Sequence, residues 1–371
     1  MVDLRSIVSC MIEVAMSARR FVVLLGLFIL VSTTAHAQKI VYVRMQGNDA
    51  SDGLSESAAN GTIEGALVDA EPGDIVDVGP GLFEGADVRF SVSIRGANSG
   101  ADITRWGEPT VIKSPLTLGA GENPVELSCD GVTFRQTVPV NGKSPNAVVS
   151  LSNCMFNASK TLSTEGLQWG ELVVIGCVFK ATMKDVSLVT ERALNVNGLS
   201  VAYLAESSYL GYSKEAIRIA SIDRLLKVQY NEITDCNTSA TSGSAGLVAD
   251  LSGLDNEVEI QKNLITNCKN GIQISGNVSG RPISVQFNKI VRIPTGFQAI
   301  IHTGTGQLQA TCNAVVLPET ELKKDRAAQI DAYSKLFSGP IDVFPLNDKA
   351  EDEDGSAIGF EPNPKQCTFT K

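Results

Sequence analysis

One short phrase recurs at near-constant spacing between positions 228 and 315, and it limits what the chain can fold into. It reads Val228-Gln-Tyr-Asn231-Glu-Ile233, then Ile260-Gln-Lys-Asn263-Leu-Ile265, Val285-Gln-Phe-Asn288-Lys-Ile290 and Ala310-Thr-Cys-Asn313-Ala-Val315. The Asn residues are 32, 25 and 25 positions apart. Self-similarity at such a period marks a solenoid, whose single repeat cannot bury its apolar face alone. The apolar alternations within each repeat are too short for helices and read as strands of a few residues. A coil of this length with several strands is one rung of a parallel β-helix, with equivalent residues stacked about 4.8 Å apart. An Asn at an inward turn can pass amide hydrogen bonds from rung to rung, and it tolerates left-handed backbone.

The phrase continues towards the N-terminus in altered form. Leu151-Ser-Asn-Cys154-Met-Phe156 and Val174-Ile-Gly-Cys177-Val-Phe179 put Cys in the ladder position. Cys129-Asp-Gly-Val132-Thr-Phe134 and Ala205-Glu-Ser-Ser208-Tyr-Leu210 fit more loosely. The position two after the ladder residue then predicts one inward column: Phe134, Phe156, Phe179, Leu210, Ile233, Ile265, Ile290 and Val315. A second phrase, Ala193-Leu-Asn-Val196, Ala216-Ile-Arg-Ile219, Gly246-Leu-Val-Ala249, Gly271-Ile-Gln-Ile274 and Phe297-Gln-Ala-Ile300, supplies another strand per rung.

The first 37 residues read as a secretory signal: Arg19-Arg20, an apolar run over 21–31 and Ala35-His-Ala37 as the cleavage site, with Met16 as the more ordinary start. Without three basic and two acidic residues of that segment, 28 Lys and Arg face 39 Asp and Glu, a net charge of −11. Such a surface disfavours nucleic acid and anionic membrane, and no later segment resembles a membrane span. The expected organisation is a cap and first rungs over 38–96, the β-helix over 97–317 and an irregular tail over 318–371. A monomer, secreted to the periplasm or the cell exterior, is expected. Only His302 remains after the signal, which excludes multi-His metal sites. Seven Cys remain, so at least one is unpaired within the chain.

The N-terminal part carries a strand from Ile40, a Gly47-Asn-Asp49 turn, Thr62-Ile-Glu-Gly-Ala-Leu-Val-Asp-Ala70 and Pro72-Gly-Asp74 leading into Gly79-Pro-Gly81. These motifs resemble the start of secreted right-handed parallel β-helix proteins of the pectate-lyase-like superfamily. The resemblance covers most of the chain after the signal. It implies an all-β solenoid of about ten rungs, a short N-terminal capping helix with Ile63, Ala66, Leu67 and Ala70 inward, and a carbohydrate partner. It does not imply one reaction, because that superfamily includes lyases, hydrolases, epimerases, esterases and non-catalytic adhesion proteins.

In the resembling enzymes the active groove lies along the outer face of the first strand of successive rungs, and here that face is assigned to the second phrase. Here its outward residues are Asn195, Arg218, Val248, Gln273 and then Gln298 or Ala299, with Asp250 at a strand end. A β-eliminating polyuronate lyase needs a base, for which Arg218 is the candidate on this face, and a cation such as Ca²⁺ to acidify the proton it removes. Asn195, Asp250 and Gln273 are the candidate substrate-binding residues. The sequence offers no acidic cluster that would give Ca²⁺ its six to eight oxygens. The hydrolase series with Gly-His-Gly and the epimerase motif Asp-Pro-His-Asp are also missing from the sequence. The expectation is a secreted carbohydrate-active or carbohydrate-binding protein, a polysaccharide lyase in its sharpest form. The alternative is a non-catalytic surface or adhesion solenoid that presents an extended face to a cell-surface glycan.

Asp49, Asp52 and Asp74 read as turn formers, and His302 as structural. A polar stripe of Gln229, Gln261 and Gln286 lies on another face. Cys154 with Cys177, and Cys236 with Cys268, are expected as stacked thiols, because in-register neighbours hold their Cβ atoms too far apart for a disulfide. A bond between Cys312 and Cys367 would pin the tail across the open end.

Overall fold

The computed structural model describes residues 37–119, 124–135, 140–142, 144–157, 162–164, 167–181, 192–237, 245–252, 257–280, 283–291, 293, 297–316, 331–332, 334–342, 350–351 and 357–359. The chain separates into two compact units, Met1–Gln38 and Lys39–Lys371, and the second of them holds the solenoid. Most of the expected signal lies outside the described residues. Among the described residues, no helix is long and apolar enough to cross a membrane.

Three long sheets share the chain in rotation. Sheet 1 has ten strands, from Ile40–Val43 to Ile283–Gln286. Sheet 2 also has ten, from Gly81–Phe83 to Ala314–Val316. Sheet 3 has seven, from Leu162–Ser163 to Phe337–Ser338. In the earliest rungs, a three-stranded sheet of Asp87–Val88, Leu116–Leu118 and Val140–Gly142 takes the place of sheet 3 in chain order. Every pairing in these sheets is parallel, and each strand bonds its equivalents on the rungs before and after. The molecule is a parallel β-helix.

The ladder forms as the repeat dictates. Asn231, Asn263, Asn288 and Asn313 are all buried. The first three pass a side-chain N–H to the Oδ1 of the next, at 3.0, 2.9 and 2.9 Å. Each also donates to a sheet 1 carbonyl on the preceding rung, as Asn263 does to Val228 at 2.8 Å. The column runs on through Ser207, Cys177 and Cys154: the Ser207 N–H meets Asn231 Oδ1 at 3.1 Å, and the Cys177 N–H meets the Ser207 hydroxyl at 3.1 Å.

Two sequence expectations are corrected here. The rung at 205–210 is offset by one, so Ser207 rather than Ser208 stands in the ladder. Tyr209, paired with Phe179 and Ile233, takes the inward place expected for Leu210. The gain is a continuous aromatic stack, with ring centroids of Phe134–Phe156, Phe156–Phe179 and Phe179–Tyr209 at 5.0, 4.3 and 4.8 Å. The left-handed turn residue is also the one before the ladder Asn, not the Asn itself. Tyr230, Lys262, Phe287 and Cys312 hold φ of 57°, 56°, 58° and 58°. Left-handed backbone costs such residues about 1–2 kcal/mol each. The ladder bonds formed by the next residue offset it.

The capping helix spans Ile63–Asp69, with Thr62 accepting the Gly65 N–H at 2.9 Å as N-cap. It buries Ile63, Ala66 and Leu67 against the first two strands of sheet 1. Asp49 braces its entry, accepting the Gly61 and Thr62 N–H groups at 2.8 and 2.9 Å. Asp74, fully buried, accepts the Lys39 and Glu71 N–H groups, and Asp52 accepts the Leu54 N–H. At the other end the sequence repeat stops at Val315, yet the solenoid does not. Phe337–Ser338 adds a strand to sheet 3, and Ile341–Asp342 pairs with Leu308–Gln309. The expected irregular tail therefore contributes strands without carrying the Asn phrase.

Candidate functional site on the outer face of sheet 3

The parallel register brings Ser163, Asn195, Arg218, Val248, Gln273, Ile301 and Ser338 into one outward column. Three of the four proposed site residues, Asn195, Arg218 and Gln273, thus share a line, with Val248 between the last two. Ile301 replaces Gln298 or Ala299 as the next member, because the strand is Ile300–His302 and not 297–300. Asp250 stands two residues further along, in a column with Asn197, Ala220 and Ser275. Its Oδ1 accepts the Ser252 N–H at 3.0 Å. The Ser252 hydroxyl and N–H, with lesser help from Ser275 and the charge of Arg218, hold its carboxyl below the ordinary range against its partial burial.

Arg218 does not stand alone. Its side chain is 48% exposed, with one Nη 3.4 Å from Glu215 Oε1. Glu215 is 3% exposed and lies 3.0 Å from Arg192. Two guanidinium groups therefore share one buried carboxylate, an arrangement the sequence reading missed. The signal was present: Arg192 and Glu215 each stand two residues before a sheet 3 strand, on successive rungs. Truncating Glu215 would leave two like charges close together without their shared counter-ion.

Trp169 was also missed. It is 59% exposed and holds φ of 62°, which is uncommon for a bulky residue. Its N–H donates to Gly198 O at 2.8 Å, directly after the strand Leu194–Asn197 that carries Asn195. An exposed indole fixed in strained backbone at the margin of a polar column is the kind of outlier that accompanies binding. It is one of two Trp in the chain, and that rarity was the available signal.

Other candidates resolve into structure. His302 is 2% exposed, with Nδ1 3.3 Å from Ile274 O and Nε2 3.0 Å from Gly306 O. Gln229, Gln261 and Gln286 align in register on sheet 1, but Gln229 is bonded to Glu259 and Gln261 to Ser284. Among the described residues, no group of three or more His, Cys, Asp and Glu gathers as metal ligands would. The small polar insertion Asn237-Thr-Ser-Ala-Thr-Ser-Gly-Ser-Ala245, which precedes the strand Leu247–Asp250 and could wall a groove, lies largely outside the described residues. Cys129, Cys154, Cys177, Cys236 and Cys268 are buried free thiols. Cys312 is disulfide-bonded, and its expected partner, Cys367, lies outside the described residues.

No protein-family model, no curated protein and no solved structure matches this chain.

Proposed function

We propose that this is a secreted right-handed β-helix of the pectate-lyase-like superfamily that binds an extended glycan along the outer face of sheet 3. The observation that carries it is the in-register column Asn195, Arg218, Val248 and Gln273, whose members step along the axis one rung apart and place polar groups on either side of Val248. Amides offer donor and acceptor together, and a half-exposed guanidinium offers a planar fork of donors for a uronate carboxylate or a hydroxyl pair. Trp169 adds an apolar platform at the margin. The disulfide at Cys312 supports an oxidising compartment, in keeping with the signal-like N-terminus.

The geometry favours binding over elimination. Arg218 lies 3.4 Å from the buried Glu215 carboxylate, and its planar fork of donors suits a carboxylate or a hydroxyl pair as a recognition group. Retention on immobilised polyuronate and neutral polysaccharide tests the proposal. Retention on polyuronate that is lost in Arg218→Ala supports it, and no retention on any glycan overturns it.

A further inference from the structure

A groove of about 560 Å³ lies on the outer face of sheet 2, over the N-terminal rungs and away from the Arg218 column. Its floor is Leu82, Val111, Thr133 and Met155, in register on four successive strands. At the spacing of parallel strands this floor is about 14 Å long. The volume falls within the range of small-ligand sites.

A loop insertion makes the wall. Between Leu225–Gln229 and Glu232–Thr234 the chain turns with Tyr230 and Asn231 alone, whereas positions 96–109 join Val92–Arg95 to Thr110–Ile112. That loop is fixed before any ligand arrives. Buried Asn98 accepts the Gly107 N–H at 2.8 Å, Ala97 donates to Thr110 Oγ1 at 2.8 Å, and Asp130 accepts from Ser99 and from Gly100. It carries Trp106 and Glu108 to the groove, while Arg135 and Asn157 reach it from the ends of two floor strands.

We propose that this groove binds a neutral pyranose unit of a polysaccharide, stacked on Trp106 and held through its hydroxyls. An indole face against apolar Leu82, Val111 and Met155 suits the C–H face of a sugar ring. Arg135 donates and Glu108 accepts, and neither makes an ion pair among the described residues, so both are available to hydroxyl groups. Their opposite charges cancel, which favours a neutral ring over a uronate. Thr133 is 5% exposed, and its hydroxyl, like the Trp106 indole N–H, has no protein partner. Buried polar groups left unbonded are costly, and a hydroxyl-rich ligand supplies partners for them. The ligand class rests on the carbohydrate reading above, but the place and the preference for a neutral ring do not.

The two Trp residues make the two faces separately readable. In Trp169→Phe the remaining indole is Trp106, and in Trp106→Phe it is Trp169. The emission of each variant is titrated with neutral gluco-, xylo- and manno-oligosaccharides and with oligogalacturonate. A saturable response of Trp169→Phe to a neutral oligosaccharide is expected, weakened about tenfold or more by adding Thr133→Val or Arg135→Ala. Adding Arg218→Ala should leave it in place. No response to any neutral sugar, or one indifferent to Thr133→Val and Arg135→Ala, overturns the groove. A response confined to Trp106→Phe overturns the groove and spares the sheet 3 reading. One confined to Trp169→Phe supports the groove and leaves the sheet 3 reading to the Arg218→Ala retention test.

Discussion

Asn263 and Asn288 are joined twice: Asn288 Oδ1 accepts the Asn263 backbone N–H at 3.1 Å and its side-chain Nδ2–H at 2.9 Å. The same pair of hydrogen bonds links Asn231 to Asn263 and Asn288 to Asn313. Each ladder amide thus closes a neighbour's turn as well as its own. Asn263→Leu should leave the Asn231 N–H unbonded and remove the side-chain donor from the Val228 carbonyl, at about 1–3 kcal/mol for the buried group left without a partner. The urea midpoint measures this, and an unchanged midpoint would show that the ladder adds nothing to stability.

Phe156 lies between Phe134 and Phe179 in the aromatic stack. Phe156→Ala opens a cavity between two rungs that cannot slide together without breaking sheet register. A loss of about 3–5 kcal/mol is expected. Phe156→Leu should recover most of it.

Asp130 gives the N-terminal loop a pH dependence. Burial pushes its carboxyl up, but bonds from Ser99, Ser152, Asn153 and Gly100 outweigh this and hold it below the ordinary value. A depressed folded pKa contributes stability that is fully present above the unfolded value of about 3.9 and is lost as pH falls through the folded value. Thermal unfolding midpoints of the wild type should therefore fall more steeply below about pH 4 than those of Asp130→Asn. Parallel curves would remove Asp130 from the acid response.

Arg218→Ala should weaken polyuronate retention about tenfold or more, the scale of one charge-assisted hydrogen bond, and leave the unfolding free energy from urea titration within about 0.5 kcal/mol of the wild type. Glu215→Gln should weaken the fold as well, because Arg192 and Arg218 both lean on that buried carboxylate. With polyuronate, with and without Ca²⁺, no ultraviolet band of a conjugated ene-acid is expected. Its appearance would establish elimination and restore Arg218 as a candidate base.

Peptide mapping without reduction should recover Cys312 linked to Cys367. The five described free thiols should resist alkylation until the protein unfolds, since burial pushes those of Cys129 and Cys154 well above the ordinary thiol value. Rapid native labelling of Cys154 would contradict the closed core.

The Asn phrase determined the period, the ladder and the aromatic-to-aliphatic column, because in a parallel solenoid sequence neighbours one period apart become spatial neighbours. The Thr62 cap and the apolar face of Ile63, Ala66 and Leu67 were legible for a similar reason, being local. The second phrase likewise put Asn195, Arg218 and Gln273 on one line. Tertiary structure decided what departs from the period. It chose Ser207 over Ser208, since only that register extends the ring stack to Tyr209. It set the Glu215 carboxylate between Arg192 and Arg218, and returned Phe337 to sheet 3 after the repeat had ended. It also laid the loop 96–109 beside the Leu82–Met155 column, making a groove where the phrase alone gives an ordinary outward face. An insertion carries no period, so its resting place is fixed by the partners it meets, here Asp130 and Thr110, and those are visible only once the rungs have stacked.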